Sequence, residues 1–477
     1  MTSFLAVREE KEVTSILDGE LMDIQRLDEE LYGHFGKKIV EAPFLSRQVV
    51  SFQANKQRPH YRWYKYKEAF SAKLVEYLLD SYDIVSGNLL DPFAGIGTAL
   101  FAASHMGLDC EGIELLPIGQ EVISTRLLIE KGISESDIAA LKSFCEKKIW
   151  VESKGKVDIN HLRITKGAYP SETEELMAKF LYSASKQPDA VSQILKFAML
   201  CILESISYTR KDGQYLRWDY RSGRRPETNT FNKGVIYPFN EAITKKIVEI
   251  LDDIDYTNRK KTLFPQKRGN VSLLKGSCLE ILKSIPDCKY DVILTSPPYC
   301  NRYDYTRTYA LELALMGIDE QSLVKLRQQM LSCTVENKEK NLISCNPSWS
   351  MAIDAANSQQ LLQSVLAYLE KQKQEKKLNN PGIYRMVKGY FYEMSCVIQE
   401  CSRTLKPGGY MFMVNDNVRY AGASISVDLI LSDLAEMLGF ETKEILVLPQ
   451  RKGNSSQQMG SHGRDALRKC VYVWRKK

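Results

Sequence analysis

The chain has little of what would mark a metal or disulfide protein. Its eleven cysteines are an odd number and contain no C-x-x-C pair, and its five histidines, scattered from His34 to His462, show no zinc-ligand spacing. Reduced, partly buried thiols and no bound metal are therefore expected, as in a cytoplasmic protein. The N-terminus MTSFLAVREEKEV lacks the apolar run of a secretory signal, and no stretch of about 18 apolar residues, the length needed to cross a bilayer, occurs elsewhere. A strong charge of one sign is also missing. A net +6 over 477 residues is compatible with a polyanionic partner but does not demand one. Hydrophobic residues at 44% and charged residues at 26% argue against extensive disorder, and the length exceeds one ordinary compact domain.

What is present is an alternation of two periods. Ile16, Leu21, Ile24, Leu27 and Leu31 recur at helical spacing in a polar preface over 1–45. Short apolar runs that end at polar or glycine-rich turns predict strands over 88–91, 108–115, 271–274, 290–295, 410–414, 445–448 and 470–474. Amphipathic stretches predict helices over 71–79, 99–105, 279–282 and 390–405. Strands alternating with helices make an α/β, doubly wound sheet, here interrupted twice. The segments are core over 46–125, a mostly helical, polar insertion over 126–269, core over 270–315, a second insertion over 316–388 and core over 389–477. Within the second insertion, Gln372 to Lys377 reads as a solvated or hinge segment.

Two turns carry chemistry. In Asp91-Pro92-Phe93-Ala94-Gly95-Ile96-Gly97-Thr98 the glycines stand where a strand gives way to a helix, which permits a tight turn and close approach by a ligand. Glu114 ends the next strand 19 residues after Gly95, where its carboxylate can accept from both hydroxyls of a ribose, and Asp91 can do the same for an ammonium. No Gly-Lys-Ser/Thr follows, so phosphates would find no cation. Phe101 or Ala102 stands where a dinucleotide site would have its third glycine. A cofactor with an amino-acid end, a ribose and no phosphate fits best.

The second turn, Ser296-Pro297-Pro298-Tyr299, follows a strongly apolar strand, and two successive prolines make it stiff. An aromatic amine is a poor nucleophile because its lone pair is delocalised into the ring. Hydrogen bonds from its protons to the Ser296 side chain and the Pro297 carbonyl would push the nitrogen toward tetrahedral character, and Tyr299 supplies a face on which an extruded base can stack.

Together these motifs resemble the DNA amino-methyltransferases. Phe93 to Gly97 matches their Phe-x-Gly-x-Gly turn and Ser296 to Tyr299 their Asp/Asn/Ser-Pro-Pro-Tyr loop, and the resemblance covers about 60–125, 270–310 and 390–477. It implies a class I methyltransferase fold, a doubly wound, seven-stranded, mostly parallel sheet carrying two largely helical insertions, with S-adenosylmethionine as cofactor. Glu114 falls on the ribose-binding acid. Gly276-Ser277-Cys278 resembles the adenine-contacting loop, with Ser277 in place of the usual Asp, and Tyr64 to Ser71, including Phe70, resembles the element that closes over the methionine moiety. Serine at the first loop position is similar to the cytosine-N4 enzymes, whereas adenine-N6 enzymes more often carry Asp or Asn. The implied reaction is direct methyl transfer to cytosine N4 in duplex DNA after base flipping. Adenine N6, an RNA base and a protein glutamine amide remain as alternatives. Cytosine-C5 chemistry would require a Pro-Cys nucleophile, and Tyr299 precedes Cys300.

A site-specific enzyme must also read its substrate. Tyr208 to Arg225 holds six basic residues against two acidic, with aromatic residues interleaved. Arg210, Lys211, Tyr215, Arg217, Trp218, Arg221, Arg224 and Arg225 suit contact with phosphates and bases. Arg451 to Gln458 and Gly463-Arg464 form a second polar segment with substrate-contacting composition. By resemblance the setting is prokaryotic, cytoplasmic and nucleoid-associated, with a cognate restriction endonuclease as candidate partner.

Overall fold

The structure, a computed structural model, describes residues 19–212, 215–224, 230–263, 268–449 and 467–477. Its strands are β1 (Ile39–Glu41), β2 (Asn88–Asp91), β3 (Asp109–Glu114), β4 (Thr209–Asp212), β5 (Tyr215–Trp218), β6 (Val271–Lys275), β7 (Tyr290–Thr295), β8 (Leu405–Asp416), β9 (Val418–Tyr420), β10 (Ala423–Ile425), β11 (Phe440–Val447) and β12 (Lys469–Lys476). Eight of them form one mixed sheet in the order β1-β11-β12-β8-β7-β2-β3-β6. Every neighbouring pair is parallel except those of β12, which runs antiparallel to β11 and β8. The expected count was seven. The eighth is β1, whose three residues are too short to show an alternating pattern and which pairs along β11 from Ile39 opposite Ile445 to Glu41 opposite Val447.

The central strands read as continuous apolar runs because both sheet faces are covered. Leu89, Val292, Leu294, Phe412 and Val473 are buried against helices Ala72–Ser81 and Thr98–His105 on one side. Leu90, Ile293, Met411 and Tyr472 are buried against helices Gln360–Gln374, Gly382–Thr404 and Val427–Met437 on the other. The 372–377 segment is thus partly the last turn of a helix, and Gln372 is buried.

The first insertion builds a core of its own. Helices Pro117–Lys131, Glu135–Lys147, Ser171–Ala184, Asp189–Ile206 and Phe239–Leu263 pack together with Trp63, Tyr64, Tyr66 and the 305–333 region. Reading this stretch as polar misses helix Asp189–Ile206, eleven of whose residues are buried, Val191 to Ile206 among them. Two of the expected segment boundaries, after residues 125 and 388, fall inside helices Pro117–Lys131 and Gly382–Thr404.

Parallel pairing decides where the two turns lie. β2 and β7 are hydrogen-bonded neighbours, Leu89 opposite Val292 and Leu90 opposite Ile293, so both chains leave the sheet at the same end. From β2 the chain winds outward through β3 and β6, then returns to β7 and continues to β8 on the other side. The crevice between the carboxyl ends of β2 and β7 is therefore the switch point at which open α/β sheets bind ligands. Among the described residues no helix is long and apolar enough to cross a membrane.

Candidate functional site

That crevice is a cavity partly open to solvent. Its lining includes Asp91 to Ile96 and Thr98 from the turn after β2, Glu114 from the end of β3, Gly276 to Cys278 after β6, and Ser296 and Pro298 after β7. Ten of the twelve residues expected at the cofactor thus line one space: Phe70, Asp91, Pro92, Phe93, Ala94, Gly95, Thr98, Glu114, Ser277 and Cys278. The other two work behind it. Ser71 is buried and donates through Oγ to the Val49 carbonyl at 2.6 Å, which pins the strip that carries Phe70. Gly97 has φ +75°, and a Cβ there would lie 2.9 Å from Ile123, so helix Thr98–His105 packs closely only without a side chain.

The turn is tied to its acid. Gly95 N–H donates to one Glu114 carboxylate oxygen and Leu116 N–H to the other, both at 2.6 Å. Asp91 Oδ1 accepts from Phe93 N–H at 3.0 Å and from the Thr295 hydroxyl at 2.6 Å. Despite these donors, burial pushes the Asp91 carboxyl up to about 7 and Glu114 up to about 8. Gly119, at the start of helix Pro117–Lys131, makes the approach possible, because a Cβ there would meet the Gly95 carbonyl oxygen at 2.4 Å.

In the loop after β7, Ser296 Oγ lies 3.2 Å from both the Val414 carbonyl oxygen and the Tyr299 hydroxyl, and its one proton is donated to one of them. With its proton engaged, Oγ presents lone pairs, and Ser296 faces the cavity as an acceptor. Pro297 is buried and does not line the cavity, nor does Tyr299, whose ring has Lys469 Nζ at 5.4 Å. Cys300 is fully buried and burial pushes its thiol up, so it is no nucleophile in this structure.

Tyr66 and Glu68, from the Tyr64 to Ser71 strip that resembles the methionine-covering element, also line the wall. Other wall residues carry no motif and were not singled out in the sequence, among them Tyr305, which follows the proline loop. Gln329, Met330 and Leu331 come from the second insertion, and the Gln329 carbonyl accepts from the Ser277 hydroxyl at 2.9 Å. A buried glutamate anchors that stretch: Glu393 accepts from Ser332 N–H at 2.8 Å, Ser332 Oγ at 2.6 Å and Lys340 Nζ at 2.9 Å. Only tertiary contact makes these residues part of the site. Asp91, Glu114 and Glu68 all face the cavity, and among the described residues lining it none is Lys, Arg or His.

The basic segment is a hairpin rather than a loop. β4 and β5 pair antiparallel, with Arg210 opposite Arg217 and Asp212 opposite Tyr215. Arg210 and Tyr215 are exposed and Arg217 half-exposed, its guanidinium 4.1 Å over the Phe231 ring. Lys211 does not belong with them. Its alternate position turns it inward, where its ammonium is buried against Glu312 and lies 3.2 Å from the Tyr64 hydroxyl. Arg221 is exposed but spent on buried Asp219, at 2.7 and 2.9 Å, and on the Gly234 carbonyl. Arg224 covers half-buried Trp218 at 3.7 Å and donates to the Arg163 and Lys166 carbonyls, so both act as internal clamps here. Arg225, Arg451 to Gln458, Gly463 and Arg464 lie outside the described residues. Among the described residues no group of three or more His, Cys, Asp or Glu could hold a metal ion.

No protein-family model matches the chain. It is 55% identical over 461 residues to the Type II methyltransferase M.AvaI of Nostoc sp. (strain PCC 7120 / SAG 25.82 / UTEX 2576), and equally to that of Anabaena variabilis, covering 96% of this chain and 95% of each relative. It is 40% identical over 481 residues to the Type II methyltransferase M.BsoBI of Geobacillus stearothermophilus, covering 95% of this chain and 92% of the relative. A solved structure of a sarcosine dimethylglycine methyltransferase from Galdieria sulphuraria aligns with 94% of this chain and 98% of its own at 11% identity and a TM-score of 0.30, too low to carry an inference.

Proposed function

The chain belongs to the Type II methyltransferases, and from that premise we propose that it methylates duplex DNA at a specific sequence, moving the methyl group of S-adenosylmethionine to cytosine N4. The observation that carries the reading is that Ser296 and Pro298 line the same cavity as Asp91, Gly95 and Glu114. Two segments some two hundred residues apart thus line one cavity, which supports reading Ser296 as the acceptor for an amine and the glycine turn as the cofactor's.

The residues fit that cofactor. It is a zwitterion with an additional sulfonium charge, and the cavity offers three carboxyls without a lining cation. Asp91 would hold the ammonium and Glu114 the ribose hydroxyls. Thr98, whose hydroxyl is buried without a hydrogen-bond partner among the described residues, would hold the carboxylate together with the N-terminus of helix Thr98–His105. The Ser277 loop and Gln329 to Leu331 would enclose the adenine. When bound, the cofactor supplies an electrophilic methyl carbon. Ser296 Oγ and the Pro297 carbonyl accept from the amine protons and aim the nitrogen's lone pair. Base flipping is required because the amine is unreachable inside the duplex, and Tyr299 is the stacking residue of this reading.

Arg210, Tyr215 and Arg217 are the groups that meet DNA, and the Type II setting points to a cognate endonuclease acting on the same sequence. Serine at position 296 favours cytosine. The test is mass spectrometry of nucleosides from the DNA of cells that express the protein. N4-methylcytosine is expected; N6-methyladenine would replace the base assignment, and methylated RNA or glutamine with unmodified DNA would overturn the substrate.

A further inference from the structure

Of the three carboxyls facing the cavity, Glu68 is the least satisfied. Asp91 and Glu114 accept from backbone N–H groups, whereas Glu68 has one firm partner, the Tyr309 hydroxyl on Oε2. Its Oε1 is buried without a hydrogen bond of good geometry among the described residues, and the nearby Tyr303 hydroxyl is the donor that helps hold the carboxyl's charge. Burial raises its titration point. An acceptor left in this state costs stability unless a ligand completes it.

The surroundings define the ligand's chemistry. Tyr66 stacks on Tyr309 with ring centres 4.9 Å apart and planes 7° apart. Tyr66 also lies over the glycine turn, 3.5 Å from where a Gly95 Cβ would be. Glu68 therefore stands in a wall of tyrosines, on the strip that covers the turn, in the cavity into which Ser296 opens. Aromatic faces beside a carboxylate held only by tyrosine hydroxyls suit a soft, weakly hydrated cation better than a further hydrogen-bond donor, since both attract positive charge and neither requires a proton.

The geometry points to Glu68 as the counter-charge for the sulfonium of the cofactor, through which the pocket prefers the charged methyl donor to its neutral thioether product. This rests on reading the cavity as the S-adenosylmethionine site. As the methyl carbon bonds to the amine nitrogen, the carbon–sulfur bond breaks and its electron pair stays on sulfur, which becomes neutral, while the nitrogen sheds a proton to solvent. Attraction between Glu68 and sulfur exists only before that step. The product therefore leaves more easily. Such a contact strengthens binding of the charged donor rather than the transition state, so it acts on KM rather than on kcat.

The experiment is equilibrium binding, by calorimetry on the full chain, of S-adenosylmethionine, S-adenosylhomocysteine and the analogue with a carbon-borne ammonium at the sulfonium position. The wild-type protein should bind both charged ligands more tightly than S-adenosylhomocysteine. E68Q should lower the ratio of S-adenosylmethionine to S-adenosylhomocysteine affinity on the order of tenfold, almost wholly through the charged ligand. E68D should keep part of the preference. An unchanged ratio in E68Q, or a wild-type protein that favours S-adenosylhomocysteine over both charged ligands, overturns the assignment. A wild-type protein that binds none of the three would instead refute the cofactor reading beneath it.

Discussion

Asp91 and Glu114 are buried carboxyls whose charge is balanced by no cationic side chain among the described residues lining the cavity, so their protonation is linked to uptake of a positively charged ligand. Their folded values, about 7 and about 8, lie above the ordinary 3.8 and 4.5. The stability they allow is full below those ordinary values and is lost as pH rises through 7 and 8, because ionisation is harder in the fold than in the unfolded chain. A ligand that needs them ionised reverses that preference and expels protons. Cofactor affinity should therefore rise between pH 6 and pH 8, by roughly tenfold per pH unit for each proton released. Calorimetry in buffers of different ionisation heat counts those protons, and an affinity flat over this range would contradict the electrostatic reading. Ser296 makes a separate prediction. S296A keeps the loop and its prolines but removes an aiming acceptor, so turnover should fall roughly a hundredfold while cofactor affinity stays near wild type. A normal single-turnover rate in S296A would remove the serine from the chemistry.

At the scale of elements, the β4–β5 hairpin divides its cations by face. Arg210 and Arg217 stand directly opposite each other, and Asp212, 3.5 Å from the Arg217 guanidinium, only partly offsets that pairing of like charges. Replacing both with alanine should leave the melting temperature almost unchanged, weaken DNA binding and reduce the salt slope of binding by about 1 for each phosphate that is no longer neutralised. K211A should do the opposite. It leaves Glu312 buried without its cation, a loss of about 3 kcal/mol that thermal unfolding would register. If the double arginine variant binds DNA with unchanged affinity and salt slope, the hairpin does not touch the DNA. Glu393 carries the corresponding test for the second insertion. E393A frees Ser332 and Lys340, and the stretch from Gln329 to Leu331 loses its anchor. Cofactor affinity should drop together with stability, by about 3 kcal/mol for the buried partner removed. Lowered stability with unchanged cofactor binding would show that the insertion merely borders the site.

At the scale of the whole molecule, the sheet and its insertions enclose the cavity together. The glycine turn and the proline loop were legible because each is a local device, strand followed by a backbone-restricted turn, and local devices leave a local signature. Nearly all core strands were legible for the same reason, being short apolar runs closed by polar turns. β1 was not, since three residues carry no period, and helix Asp189–Ile206 was misjudged because burial on nearly all sides erases the polar stripe. Basic residues in a row at 208–225 suggested one surface. Strand alternation then sent Arg210 outward and Lys211 inward, and clamps on Asp219 and Trp218 took up Arg221 and Arg224.

By itself, the order of residues singled out the candidates for holding a cofactor and gripping an amine: Asp91, Gly95, Glu114 and Ser296, each recognisable from its neighbours in the chain. It also determined an α/β architecture, since alternating periods admit few others. The tertiary structure alone decided that these groups share one cavity, because β2 and β7 pair in parallel across an interval of two hundred residues. It alone brought Tyr305 and Gln329 to the same wall. Pairing partners and burial depend on contacts remote along the chain, and no local pattern encodes them.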